Sequence, residues 1–164
     1  MSTTLTLPHA LPSDPLALIE YILERFHEVH RQQMPELIRL ATQVEAVHAD
    51  HPAAPYGLAA LLKSMYAELL QHMDKEESIL FPMLARGGTP FVVHPIGVMR
   101  AEHEEHAENL VRLMTLTRNA EPPEDACSTW RQLCIGVKQF AGDLEQHIHI
   151  ENDVLFPRFE SMRR

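Results

Sequence analysis

The residues of this chain that could do chemistry form a histidine–glutamate motif that occurs twice. His72 is followed four residues later by Glu76, and His147 is followed four residues later by Glu151. Residues at this spacing lie on one face of an α-helix about 6 Å apart, so each imidazole and carboxylate could bind the same metal ion or adjacent ions. The sequence Leu-Phe-Pro begins four residues after each glutamate, and the two copies lie 75 residues apart.

Two further histidines extend this repeat. His27 and His103 each precede another histidine by three residues, and they lie 76 residues apart. The two halves of the chain therefore resemble helical hairpins related by a pseudo-twofold axis, each supplying two histidines and one glutamate. The candidate metal ligands are His27, His72, Glu76, His103, His147 and Glu151.

Four imidazoles and two carboxylates without a thiolate suit iron or manganese better than a structural zinc ion. If both glutamates and a solvent oxygen bridge two ions, each ion has two nitrogen and three oxygen ligands and one open octahedral position. That position could take O2, NO or water, or it could mark a site loose enough to release its metal. The alternative is a set of polar core residues that satisfy one another. One His-x-x-x-Glu motif is a weak signal, but the repeated set favours a metal site.

Four amphipathic helices are predicted to position these residues, because apolar residues recur at steps of three and four. The N-cap and first-turn signal Ser13-Asp14-Pro15 opens the first helix, and Pro35 is expected to kink it. Gly87 and Gly88 close the second helix. The predicted buried stripes run from Leu16 and Leu23 through His27 to His48, from Leu58 through Glu76 to Ile79 and Met83, from Ile96 to Thr117, and from Trp130 to Val154.

The predicted fold is all-α, an antiparallel up-down four-helix bundle. The chain has 164 residues, 45% of them hydrophobic, which favours one compact domain. We assign residues 1–14 to an N-terminal extension and 15–162 to the bundle. The formal charge of -9 argues against nucleic-acid partners. No run of about eighteen apolar residues predicts a membrane span, and no targeting segment is apparent, so we expect a cytoplasmic protein. Cys127 and Cys134 are expected to be reduced and mostly buried, with a redox role as the minor alternative.

With these motifs identified, the chain resembles hemerythrin-like di-iron proteins, and most closely the Repair of Iron Centres family of iron-sulfur cluster repair proteins. The resemblance covers about residues 15–160 and depends on extended motifs. Oxygen-carrying hemerythrins are less similar, because they use five histidines, including a His-x-x-x-His pair that this chain lacks. The motifs that carry the resemblance are Phe26-His27-x-x-His30-Arg31-Gln32-Gln33-Met34-Pro35-Glu36-Leu37, Val47-His48-Ala49-Asp50, His72-Met73-x-Lys75-Glu76-Glu77-x-Ile79-Leu80-Phe81-Pro82, Glu102-His103, Pro122-Pro123-x-x-Ala126-Cys127-x-x-Trp130 and His147-Ile148-x-x-Glu151-Asn152-x-Val154-Leu155-Phe156-Pro157-Arg158.

The resemblance implies a non-haem di-iron centre, oxo- and carboxylate-bridged, and a role in repairing iron-sulfur clusters damaged by nitric oxide or oxidants. Iron donation to iron-sulfur client proteins, with an unknown reductant, is the expected route. The alternatives are a di-iron protein that binds or reduces NO, which would be an enzyme, and an O2 or NO scavenger or sensor. The fuller family architecture includes a small N-terminal domain with adjacent cysteines. We expect it to be absent here, because about a dozen residues precede the first predicted helix.

His48 is a further histidine to compare with the ligand set, because the resemblance matches it to a family histidine considered among the ligands. It lies 21 residues after His27 on the same stripe. A continuous helix of that length spans about 31 Å, so we exclude His48 from the ligand set. His30 and His106 could hydrogen-bond to ligands, and Glu102 or Glu105 could orient one.

Overall fold

Four long helices make up the part of the chain that the computed structural model describes, residues 10–161, and no strand occurs within that range. Helix α1 comprises Pro15–Ile22, a π-helical turn Leu23–His27, and Glu28–Val47. Helix α2 comprises Leu58–Lys75, a π-helical turn Glu76–Leu80, and Phe81–Ala85. Helix α3 spans Val93–Leu116 after a short 3₁₀ turn, Pro90–Val92. Helix α4 comprises Ser128–Ile150, a π-helical turn Glu151–Leu155, and Pro157–Glu160.

The ends of these helices follow the predicted signals. The Asp14 carboxylate caps α1 by accepting from the backbone N–H of Ala17 at 3.2 Å. Helix α2 ends where Gly87 and Gly88 adopt φ of 96° and 70°, values that favour glycine. Pro35 lies inside an unbroken helical segment of α1. The antiparallel four-helix bundle predicted from the sequence is confirmed, with α1 and α3 each packed against α2 and α4.

The buried apolar side chains form two separate cores at opposite ends of the bundle. One core includes Met34 to Val44 of α1, and the other includes Leu18 to Phe26 of the same helix. Every helix contributes residues to both cores. In each helix the candidate ligands lie near the point where its buried residues pass from one core to the other. A polar layer therefore crosses the bundle between two apolar cores.

The three π-helical turns explain where the predicted stripes were wrong. In α2 the buried side chains after Glu76 are Leu80 and Leu84, whereas Ile79 is 56% exposed and Met83 is half-buried. The N–H of Phe81 bonds to the carbonyl of Glu76, five residues back, so the turn holds one more residue than an α-turn. The sequence prediction continued the α-helical period of 3.6 residues past Glu76, and it therefore placed the exposed face of α2 in the core.

The same correction applies to α4 and α1. Leu155 and Phe156 are buried after Glu151, and the predicted Val154 is only half-buried. In α1, before and within the π-turn, Leu16 is 49% exposed and Leu23 is half-buried, while Leu18, Ile19, Ile22 and Phe26 are buried. Helix α3 has no π-turn, and all of its predicted stripe from Ile96 to Thr117 is buried.

The sequence predicts an N-terminal extension, residues 1–14, and the bundle, residues 15–162. Residues 1–9 and 162–164 lie outside the described residues, whereas Pro15 does begin the first helix. Within residues 10–161, no helix combines the length and hydropathy that crossing a membrane requires.

The shifted register predicts opposite effects for neighbouring apolar residues. Leu80→Ala should lower the free energy of unfolding by about 2–5 kcal/mol, because Leu80 is 1% exposed. Ile79→Ala should change it by no more than about 0.5 kcal/mol, because that side chain lies at the surface. Urea unfolding of both variants checks this, and a larger loss for Ile79→Ala would contradict the π-turn.

Candidate metal centre

All six predicted ligand side chains converge in the polar layer between the two cores. His27 comes from α1, His72 and Glu76 from α2, His103 from α3, and His147 and Glu151 from α4. Each of them is between 0% and 2% exposed. Water is therefore excluded from donors that would be strongly hydrated outside the fold.

These side chains form two groups that share both glutamates. One group joins His27, Glu76, His147 and Glu151, and the other joins His72, Glu76, His103 and Glu151. Within each group the donor atoms all lie within 4.8 Å of one another. The arrangement offers two adjacent positions for metal ions, each with two imidazoles and with both carboxylates between them.

The four imidazoles direct Nε2 towards the carboxylates. In α2 and α4 the intrahelical pairs place Nε2 of His72 at 3.2 Å from Glu76 Oε1 and Nε2 of His147 at 3.0 Å from Glu151 Oε1. Contacts between helices complete the set. Nε2 of His27 lies 3.3 Å from Glu76 Oε1, and Nε2 of His103 lies 3.1 Å from Glu151 Oε1.

Hydrogen bonds to Nδ1 of three ligand imidazoles determine which ring nitrogen is free to bind a metal ion. Nδ1 of His27 lies 2.8 Å from Glu77 Oε2, and Nδ1 of His72 lies 2.9 Å from Glu102 Oε1. Nδ1 of His103 lies 2.7 Å from the side-chain oxygen of Asn152. Because all three partners are acceptors, Nδ1 carries the proton and Nε2 keeps its lone pair for a metal ion.

A longer chain of hydrogen bonds supports His147. Its Nδ1 lies 3.1 Å from His30 Nε2, and Nδ1 of His30 lies 3.2 Å from Gln33 Oε1. The Gln33 amide donates to Asp143 Oδ2 at 2.7 Å. If Nδ1 of His147 donates to His30 and Nδ1 of His30 donates to Gln33, Nε2 of His147 also keeps its lone pair for a metal ion. His30 thus orients a ligand, as the sequence allowed.

His106 occupies the position of His30 in the repeat but does not share its role. Its ring lies 4.8 Å from that of His72, edge to face. Nδ1 of His72 is already bonded to Glu102, and His106 Nε2 has no hydrogen-bond partner. The two halves of the bundle therefore support their ligands with different residues.

The unpaired polar atoms test whether the residues fit a pair of metal ions. Among residues 10–161, the buried side-chain atoms without a hydrogen-bond partner are His27 Nε2, both Glu76 oxygens, His106 Nε2, His147 Nε2 and both Glu151 oxygens. Except for His106 Nε2, all of them belong to residues of the two candidate ligand groups. Buried polar atoms are rarely left unpaired, and acceptors turned towards one another are what cations satisfy. The donor set therefore fits metal ions.

Burial keeps four histidines of this layer neutral near pH 7. Removal from water lowers the pKa of His27 to about 2, that of His30 and His106 to about 3, and that of His72 to about 4. A neutral imidazole is the form that binds a metal ion. We call these four residues the low-pKa histidines.

The pKa values of the two glutamates shift in opposite directions. Burial, followed by the charge of Glu151, raises the pKa of Glu76 well above its usual value. Burial acts on Glu151 in the same sense, but His147 and nearby hydrogen-bond donors outweigh it and hold the pKa of Glu151 well below its usual value. Two buried like charges this close resist joint ionisation, and a cation between them would remove that conflict.

Several other predicted residues lie away from the centre or contact it differently. His48 is not part of either group and lies against Cys127 and Trp130. Glu105 is exposed, whereas Glu102 does orient His72. Sequence reasoning missed Glu77 and Asn152, although each directly follows a ligand glutamate and the pair follows the 75-residue repeat.

The lowered pKa values predict that the metal-free protein loses stability in mild acid. The unfolded chain binds protons at these histidines near pH 6.5, whereas the folded chain does not, so the free energy of unfolding falls as the pH drops from about 7 towards 4. The slope is up to about 1.4 kcal/mol per pH unit for each low-pKa histidine. Glu76 acts in the opposite direction, but one carboxyl does not offset four imidazoles.

Urea unfolding of the metal-free protein at a series of pH values measures this slope. His149→Gln is the matched control, because that imidazole is exposed and the variant should keep the full pH dependence. A free energy of unfolding that stays flat between pH 7 and 5 would show that the low-pKa histidines are not buried as described.

Comparison with known proteins agrees with the geometry. The hemerythrin HHE cation binding domain family matches residues 18–159. Iron-sulfur cluster repair proteins named YtfE from Yersinia pseudotuberculosis serotype O:1b and from Yersinia pestis strain Pestoides F are each 48% identical over 162 residues. These alignments cover 96% of this chain and 73% of each relative.

The family match implies a di-iron cofactor, and the buried histidine–glutamate cluster is able to hold two metal ions. The resemblance drawn from the sequence motifs is confirmed. This chain belongs to the hemerythrin HHE cation-binding family and, within it, to the Repair of Iron Centres group.

Proposed function

We propose that the chain stores two iron ions and donates iron to iron-sulfur proteins whose clusters have been damaged by nitric oxide or oxidants. The observation that carries the proposal is the pair of four-residue groups sharing Glu76 and Glu151, with every donor a nitrogen or an oxygen. The 48% identity to iron-sulfur cluster repair proteins supports the same role.

In this proposal each residue of the set has a defined task. His27 and His147 would hold one ion, His72 and His103 would hold the other, and the two glutamates would bind both. The bound irons would supply redox change between the ferric and ferrous states. The chain holds the imidazoles neutral and oriented, keeps water out of the layer, and leaves each ion with fewer protein donors than an octahedral site requires.

A short distance from the ligands to the surface supports iron release. Behind His27 the Glu77 side chain is 32% exposed and pairs with Arg31 at 2.7 Å. Behind His72 the Glu102 side chain is 18% exposed and pairs with Lys75 at 2.6 Å. Both ion pairs lie partly in solvent, where such pairs contribute little to stability, so local opening there would reach the ligands without unfolding either apolar core.

The partners of this function are also part of the proposal. We expect apo or damaged iron-sulfur proteins as clients, NO and O2 as small ligands of the same centre, and a reductant of unknown identity. A cytoplasmic location agrees with Cys127 and Cys134 being free thiols, because disulfides are rare in that compartment.

The shared position of the glutamates predicts a strong effect of removing either one. Glu76→Gln or Glu151→Gln should reduce iron from two ions per chain to fewer than one, since each change takes a ligand from both ions. Glu145→Gln is the control, because Glu145 is an exposed residue of the same helix as Glu151. Metal analysis of the purified variants measures this, and two ions retained in both would contradict the proposed ligand set.

Iron donation predicts transfer of labelled iron to a client. Protein loaded with radioactive iron and reduced should transfer label to an iron-sulfur enzyme whose cluster has been destroyed by nitric oxide, with sulfide supplied. Recovery of client activity should follow transfer of the label. His72→Ala should transfer little, since it lacks one ligand, whereas His149→Ala should behave as the unmodified protein.

The same preparation separates iron donation from NO chemistry. Anaerobic NO added to the reduced protein should yield nitrous oxide over several turnovers if the centre is an NO reductase. Retained label, an inactive client and repeated turnover would overturn the donation proposal in favour of the enzyme. Reversible ligand uptake without iron loss would instead indicate a sensor or scavenger.

A further inference from the structure

A second cluster of reactive side chains lies at one end of the bundle, away from the metal centre in its middle. It joins His48, which follows the last residue of α1, to Cys127, which precedes the first residue of α4. Nε2 of His48 lies 3.2 Å from Cys127 Sγ. His48 lies 21 residues after His27, which places this pair about 31 Å from that candidate ligand along α1.

The surrounding residues hold His48 in place. Its ring lies 4.9 Å from that of Trp130, which is buried. His51 packs edge to face on the same indole at 5.0 Å. Nδ1 of His51 accepts the backbone N–H of Ala53, so its Nε2 donates to Asp125 at 3.0 Å. Both nitrogens of His51 are therefore occupied, and His48 is the imidazole that contacts the Cys127 thiol.

The Cys127–His48 pair borders an open cavity. The cavity has a volume of about 300 Å³ and is lined by Gln43, Val44, Val47, His48, Cys127 and Thr129. Cys127 is half-buried, so a small molecule in the cavity could reach its sulfur. A nucleophile and a base within hydrogen-bond reach beside a cavity form the arrangement that activates cysteine for attack.

The electrostatics of the two cysteines differ. The hydrogen bond with His48, followed by the backbone N–H groups of Trp130 and Thr129 in the first turn of α4, lowers the pKa of the Cys127 thiol. Burial raises the pKa of Cys134, whose side chain packs in the apolar core. One cysteine thus favours the thiolate and the other the neutral thiol.

We propose that Cys127 is a nucleophilic thiol that undergoes exchange with small disulfides in this cavity, with His48 accepting its proton. His48 Nε2 takes the thiol proton, and Sγ attacks one sulfur of the disulfide. A new S–S bond forms to Cys127 and the old S–S bond breaks. The other half of the disulfide leaves as a thiolate, to which the imidazolium returns the proton.

The shape of the site supports a small disulfide over a protein one. The sulfur is reached through a space of about 300 Å³ instead of across a flat exposed face. The product is a mixed disulfide within that space, because the other cysteine is buried and cannot resolve it. The modification is reversible by a second thiol, and it does not depend on the iron-repair function.

The test uses the iron-loaded protein and glutathione disulfide under anaerobic conditions at pH 7. Intact mass and peptide mapping should find one glutathionyl group per chain, on Cys127. Cys127→Ser should abolish the adduct, whereas Cys134→Ser should leave its rate unchanged. Iron content should be the same in all three proteins, so failure of iron binding and failure of this proposal are distinguishable.

The role of His48 is tested by the pH dependence of alkylation with iodoacetamide. The hydrogen bond with His48 lowers the pKa of the Cys127 thiol, so His48→Gln should leave less thiolate at pH 7, slow the reaction there and move its midpoint to higher pH. A merely structural role would not move that midpoint.

Two outcomes would overturn the proposal, and the first needs no variant. One is equal labelling of Cys127 and Cys134 in the unmodified protein, and the other is an unchanged pH midpoint in a folded His48→Gln protein. Circular dichroism at each pH checks that the variant is folded.

Discussion

The structure depends on the burial of a polar layer in the middle of an otherwise apolar bundle. Burying unpaired imidazoles and carboxylates costs several kcal/mol for each uncompensated group, and here six such groups meet in one layer. The outward hydrogen bonds on Nδ1 satisfy half of each imidazole. Of the inward atoms, Nε2 of His27, Nε2 of His147 and the oxygens of both glutamates have no hydrogen-bond partner, and this is the arrangement that a pair of cations would satisfy. The two apolar cores on either side supply the stability that holds the layer together.

The π-helical turns show how the helices accommodate this layer. Each of α1, α2 and α4 has one such turn next to a ligand, on the side of the core built around Phe26, Leu80 and Phe156. An extra residue in the turn rotates the following helix, so the ligand and the apolar residues beyond it both face inwards. Periodicity alone could not predict this, because the apolar residues at both registers, Ile79 and Leu80, are equally hydrophobic in sequence.

The sequence predicted the bundle and the set of side chains that converge, because few residue types hold metal ions and the spacing repeats. It could not assign the residues behind them. Glu77 and Asn152 read as ordinary polar positions on a helix surface, and only the packing of α1 against α2 and of α3 against α4 brings them to His27 and His103. Cys127 is similar: the expectation of a mostly buried thiol fits Cys134, whereas Cys127 is half-buried beside His48.

The duplication is broken in sequence but kept in charge. Glu77 in the first half corresponds to Asn152 in the second, so His27 hydrogen-bonds to a carboxylate and its counterpart His103 to a neutral amide. The other two ligand histidines, His72 and His147, also correspond to each other in the repeat. There Glu102 hydrogen-bonds to His72, whereas the neutral His30 hydrogen-bonds to His147. Each four-residue group therefore contains one imidazole backed by a carboxylate and one backed by a neutral partner. A carboxylate behind an imidazole makes it a stronger ligand, so this compensation gives the two metal positions closely matched donors although the residues that support them differ.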